Sequence, residues 1–152
     1  YFLILFSVFK LDMWARIIIN TIFFICQILL YRFLAAIEDQ GDSCPCSSGW
    51  KLAQAKLFTN IMVLLNLVNI FVPLNRGLHN IPIVGGSISI IYLVMLGGEL
   101  CLVYSICKEL AKPICRDCEI DGYERIVEFF QGQSMLACLG YAIVASIIQL
   151  YF

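Results

Sequence analysis

Charge is what this sequence has least of. Lys, Arg, Asp and Glu make up 14% of its 152 residues, against roughly 25% in ordinary soluble domains. Hydrophobic residues make up 61%, and the mean hydropathy is +0.89. A water-soluble protein of this size could not cover its surface with so few charges. The net charge of −1 leaves no basic stripe for a phosphate backbone, so no nucleic-acid partner is expected. It also leaves no field to steer a charged substrate. The single histidine, His79, has no second His and no catalytic Ser partner in view.

The charges are also absent in blocks. Residues 17–31 carry none; Arg32 interrupts, and 33–37 continue the run. Residues 57–75 and 129–152 carry none, and 77–98 contain only His79. A bilayer core about 30 Å thick needs roughly 20 mostly apolar residues per spanning helix. Lipid offers no hydrogen-bond partner to an open backbone, so a span is a helix or part of a closed barrel. The runs are continuous rather than alternating, which excludes the barrel pattern. The expectation is an all-α chain: a single membrane domain, 1–152, built as a four-helix bundle with short loops and the lipid bilayer as its solvent. The spans fall at about 17–36, 57–74, 83–107 and 135–152.

Residues 1–16 form an apolar and then amphipathic segment. Residues 1–9 are apolar but too short to span, and Lys10, Asp12, Trp14 and Arg16 follow them. Basic residues that follow the apolar run, with no small-residue cleavage site, do not make a signal peptide. The segment is either an interfacial helix or the first turns of one long helix entering the first span. A start at Tyr1 and a stop inside an apolar run are what a piece of a longer protein would show.

The connections carry the remaining chemistry. Residues 38–56 contain Cys44-Pro45-Cys46 and then Ser47-Ser48-Gly49-Trp50. The connection near 75–82 is short and holds Arg76, Gly77, His79 and Pro82. The connection 108–134 holds Cys115-Arg116-Asp117-Cys118 and a charged stretch. In that stretch Ile120, Tyr123, Ile126, Val127 and Phe130 recur at helical spacing. This predicts a short amphipathic helix lying on the membrane face, with Glu124, Arg125 and Glu128 turned to water. In a four-span chain the first and third connections share a side. Lys51, Lys56, Lys108, Lys112, Arg116 and Arg125 lie there, against Lys10, Arg16 and Arg76 opposite, so the cysteine side is expected to be cytoplasmic.

Cys44, Cys46, Cys115 and Cys118 leave several readings open. Four thiolates from two short-spaced pairs suit a structural zinc ion, the one cofactor to consider. Disulfides between the pairs would staple the two loops and would need an oxidising compartment or a dedicated oxidase. A low-pKa thiol in the C-x-x-C pair could exchange with a substrate disulfide. Four plain thiols in loops are the remaining case. Cys26, Cys101, Cys107 and Cys138 fall within or at the ends of spans and read as small apolar packing residues.

Inside the bilayer the notable residue is Glu99, after Gly97 and Gly98. An acid at that depth must be protonated or paired with polar groups. Asn60, Asn66 and Asn69 on the second span are the expected partners, and Asn66 and Asn69 share a helix face. Glu99 then either fixes the bundle as a hydrogen-bonding acid or belongs to a proton or ion path. Small residues recur every four positions at Gly97, Cys101 and Ser105, at Cys138, Ala142 and Ser146, and at Gly85 and Ser89. Such faces let helices, or copies of the chain in a homo-oligomer, approach closely. Trp14, Tyr31, Trp50, Tyr104 and Tyr151 sit near span ends, as an aromatic belt requires.

The segment Cys44-Pro45-Cys46-Ser47-Ser48-Gly49-Trp50-Lys51, running straight into an apolar helix, resembles a pattern in small multi-span membrane proteins of nucleocytoplasmic large DNA viruses. The resemblance covers those residues and the four-span outline. It implies a structural role without catalytic residues, in the viral inner membrane, where minor capsid proteins tie lipid to the capsid shell. Other membrane or capsid proteins would be the partners. A virally encoded thiol oxidase would allow disulfides to form in the cytoplasm. The outline is also similar to that of four-span thiol oxidoreductases of the quinone-reducing type, in which Cys44 and Cys46 would pass electrons to Cys115 and Cys118. A small channel or transporter subunit, resting on Glu99 and the Asn face, is the third class.

Overall fold

The computed structural model describes residues 2–40, 44, 49–71, 82–115, 118 and 121–151. Among these the regular structure is entirely helical. Helix α1 is Phe2–Asp39, α2 is Trp50–Phe71 and α3 is Pro82–Leu110. A 3₁₀ turn follows at Pro113–Cys115; then come α4, Glu124–Gly132, and α5, Met135–Tyr151. Among the described residues three helices are long and apolar enough to cross a membrane, at Trp14–Asp39, Trp50–Phe71 and Ile90–Leu110. Helices α4 and α5 pass the same test only as a pair, and they meet at a bend of 106°.

Of the two readings left open for the N-terminal segment, one long helix is the one found: α1 runs unbroken for 38 residues. At about 1.5 Å per residue that is ~57 Å, nearly twice the hydrocarbon thickness. Helix α2 begins at Trp50 rather than near 57. Lys51 and Lys56 do not end it, because each has a carboxylate partner, Glu109 and Glu38 respectively. Helix α3 runs from a proline, whose missing N–H costs nothing in a first turn, to Leu110, just ahead of Pro113.

Helices α2 and α3 are antiparallel, and their register can be read from three pairs. Lys51 meets Glu109, Thr59 meets Glu99, and Asn66 meets Tyr92. On the other side of α3 the small residues predicted to allow close approach do so. A Cβ at Gly97 would lie 3.8 Å from Leu139 and 3.9 Å from Ala142. Cys138, Ala142 and Ser146 are all buried on that face of α5. The third set of small residues, Gly85 and Ser89, belongs to a stretch whose side chains are outside the described set.

Two apolar clusters fill the interior. The larger lies at the cysteine end, with Phe33, Leu34 and Ile37 of α1, Leu52 and Ala55 of α2, and Val103, Ile106 and Leu110 of α3. The smaller brings together Met62, Tyr92, Leu96 and Ala142. Helix α4 is the short amphipathic helix expected from the sequence, and it packs against protein. Its apolar face covers the larger cluster: Val127 and Phe130 are buried, and Tyr123 and Ile126 pack against the same group. The ring of Tyr123 lies 5.8 Å from that of Phe33. Ile120, the first residue of the predicted face, is outside the described residues. The physical reason is that the end of α3 needs a cover. Gln131 donates from Nε2 to the Cys107 carbonyl at 3.2 Å, and Lys108 donates from Nζ to the Gln131 carbonyl at 2.6 Å. These bonds satisfy or bridge carbonyls near a helix C-terminus. Glu124, Arg125 and Glu128 are exposed, as their spacing predicted.

Helix α4 is entered through Gly122, whose φ of 86° is open to glycine and strained for other residues. The carboxylate of Glu124 accepts from the Gly122 backbone N–H at 3.1 Å. Its own backbone N–H and that of Gly122 hold the Glu124 carboxyl below the usual range. Ser134 then starts α5. Its Oγ accepts from the Ala137 N–H at 3.2 Å, an N-cap bond.

Candidate functional site

Two places gather the residues that carry chemistry. The first is the cysteine end. Cys44 and Cys118 are joined by a disulfide, with Cα atoms 4.9 Å apart across 74 residues of sequence. Cys115 is disulfide-bonded as well. Cys46 is outside the described residues. The bond runs from the first connection to the third, as the staple reading expected. Two of the four sulfurs are thus bonded to each other, and a third is in another disulfide. Among the described residues no group of His, Cys, Asp or Glu is placed to hold a metal ion. The staple is enclosed: Cys44 is 1% exposed and Cys118 9%, and both belong to the larger apolar cluster.

The second place is the bundle interior at Glu99, which is 0% exposed. Its partners come from two other helices. Gln27 of α1 donates from Nε2 to Glu99 Oε2 at 2.9 Å. Thr59 of α2 has its Oγ1 2.7 Å from Glu99 Oε1 and 2.8 Å from the Ala55 carbonyl oxygen. One carboxyl thus joins α1, α2 and α3. Nearer the other end of the bundle, Tyr92 donates its hydroxyl to Asn66 Oδ1 at 2.9 Å, and Asn66 donates from Nδ2 to the Met62 carbonyl at 2.8 Å. Asn20 of α1 is buried too, and its Nδ2 donates to the Arg16 carbonyl at 2.9 Å.

Of the expected Asn partners, none bonds to Glu99. Asn60 is exposed, Asn69 is half-buried, and Asn66 serves Tyr92 instead. Thr59 and Gln27, which the sequence reading passed over, do the work. A signal for them exists: the buried polar residues recur at heptad spacing on each helix, as Asn20 and Gln27, Thr59 and Asn66, and Tyr92 and Glu99. That period keeps residues on one side of packed helices. The two polar levels are separated by Met62 and Leu96, both buried.

Outside the polar core, an apolar groove of about 460 Å³ opens between α3 and α5, against Val94, Gly97, Gly98, Cys101, Leu139 and Ile143. Gly98 also permits α2 to approach, since a Cβ there would lie 2.8 Å from the ring of Phe58. The thiols of Cys107 and Cys138 are fully buried and pack in the larger cluster.

No protein-family model, no curated protein and no solved structure matches this chain.

Proposed function

We propose that this chain is a structural integral membrane protein, a four-span bundle whose disulfide-stapled end serves as a rigid docking face for other proteins. The observation that carries this reading is an inversion of polarity. Glu99, Thr59 and Asn66 are buried, while Ile18, Ile22, Ile25 and Leu29 line an exposed stripe along α1. Leu57, Leu64, Val68 and Phe71 do the same on α2, and Leu136, Ile143 and Ile147 on α5. In water each such side chain would forfeit about 1.5–3 kcal/mol relative to burial. In lipid that penalty vanishes, while the polar groups gain by turning inward. The fourth crossing is α5 with its 17 residues, at the short end of the spanning range.

Enclosure of the staple favours structure over redox catalysis. A thiol–disulfide relay needs a sulfur that a partner thiolate can attack, and the Cys44–Cys118 bond lies inside an apolar cluster. The more specific role, a viral inner-membrane or minor capsid protein joining lipid to a shell, rests on the resemblance at residues 44–51. In that setting the basic residues keep the stapled end cytoplasmic, and a dedicated thiol oxidase supplies the disulfides.

The test is reconstitution of the full chain in quinone-containing liposomes. The proposal expects carbonate-resistant membrane association and no quinone-dependent oxidation of added dithiols. Dithiol oxidation that a Cys44→Ser variant abolishes would replace the structural reading with the oxidoreductase one.

A further inference from the structure

Hydrogen atoms can be counted in the Glu99 cluster, and each contact has a proton of its own only if the carboxyl supplies one. Thr59 has a single hydroxyl proton and two oxygen neighbours, Ala55 O at 2.8 Å and Glu99 Oε1 at 2.7 Å. A carbonyl oxygen only accepts, so the proton in the Thr59–Ala55 contact comes from Thr59. That proton is either shared between the two oxygens, as a three-centre bond with two weaker arms, or the Thr59–Glu99 contact carries a second proton of its own. A carboxylic acid provides it: the Glu99 acid O–H donates to Thr59 Oγ1, Thr59 donates to Ala55 O, and Glu99 Oε2 accepts from Gln27 Nε2. Each contact in the chain then has one donor and one acceptor.

The surroundings agree. Both partners of Glu99 are neutral, and among the described residues no ion pair reaches it. On α1, Arg32 is exposed and Glu38 is paired with Lys56 of α2. Lys51 of α2 is paired with Glu109 of α3, and Lys108 of α3 bonds the Gln131 carbonyl. Helix α5 has no charged residue. A bare carboxylate in that interior would be an unpaired buried ion, the most costly arrangement for such a group.

We propose that Glu99, Thr59 and Gln27 form a proton-binding site in which a single bound proton clasps α2 to α3, with α1 held through the same carboxyl. Any motion that parts α2 from α3 at this level breaks the hydrogen bond between the acid and Thr59.

The experiment is infrared difference spectroscopy of the full chain in lipid bilayers at neutral pH, with glutamate carboxyls isotopically labelled. The wild-type-minus-Glu99→Gln spectrum is expected to contain the carbonyl stretch of a hydrogen-bonded carboxylic acid and no carboxylate bands. Glu99→Gln should still fold, since its amide donates to Thr59 and accepts from Gln27. If that variant fails to fold, Thr59→Val serves instead: it removes the acceptor and should move the acid carbonyl band to higher frequency. Carboxylate bands in the difference spectrum, or an acid band that Thr59→Val leaves in place, would overturn the proposal. Carboxylate bands that appear only with sodium present would also overturn it, by putting a cation where the proton is proposed.

Discussion

Helix α3 has two interfaces that are built differently. Toward α1 and α2 it presents Tyr92 and Glu99, whose buried side chains hydrogen-bond, and Gly98, which admits the ring of Phe58. Toward α5 it presents Gly97, in apolar contact with Leu139 and Ala142. In the proposed bilayer setting, the difference teaches what holds helices together when apolar burial gives no advantage. Lipid is as apolar as leucine, so a helix pair needs either polar atoms that have no other partner or backbones near enough for dispersion. Here one helix uses both.

The largest expected effect concerns the polar side, where the staple adds a covalent tie. Replacing Cys44 and Cys118 together by Ser should lower stability by about 2–4 kcal/mol, read from thermal unfolding in detergent. The α3–α5 contact, measured by cross-linking an engineered cysteine pair, should be unaffected. Next comes Glu99→Leu, which strands the Gln27 amide and should cost about 2–3 kcal/mol, whereas Glu99→Gln should cost under ~0.5 kcal/mol. Those two variants sharpen the contrast, because they change bonding and barely change shape. On the other interface shape is the variable: Ala142→Leu should cost about 1–3 kcal/mol by overpacking and loosen α5 while the Gln27–Glu99 bond persists. Smaller still is Gly122→Ala, about 1 kcal/mol from the positive φ, read from unfolding midpoints.

The smallest effect is one of pH, and it lies outside both interfaces. The Glu124 carboxyl is held below its ordinary range by its own and the Gly122 backbone N–H groups. Its contribution is therefore present above the unfolded carboxylate pKa and is lost as pH falls through the lower folded value. Amide protection over Glu124–Gly132, taken relative to the intrinsic exchange rate at each pH, should fall in acid, and Glu124→Gln should remove that dependence.

Much of the helical plan could be read from charge-free runs, because a run of that length has few alternatives in lipid. The start of α2 could not, since Lys51 and Lys56 look like loop residues until their partners, Glu109 and Glu38, are known. The partners of Glu99 were misread for a geometric reason: Thr59 and Asn60 are adjacent in sequence but about 100° apart around the helix, and the stronger polar residue faces outward. Cysteine connectivity was out of reach, as two pairs of cysteines fit zinc and disulfides alike. The burial of Val127 and Phe130 was also hidden, because an amphipathic stripe looks the same whether lipid or protein covers it.

The central claim is that the polar groups face inward because the outside is lipid. The most direct measurement is a nitroxide scan of the exposed stripe of α1 at Ile18, Ile22, Ile25 and Leu29, with the chain in bilayers and accessibility read with oxygen and with a water-soluble nickel chelate. The account predicts frequent collisions with oxygen and few with the chelate at all four positions. Free access of the chelate to those positions would place the stripe in water and contradict it.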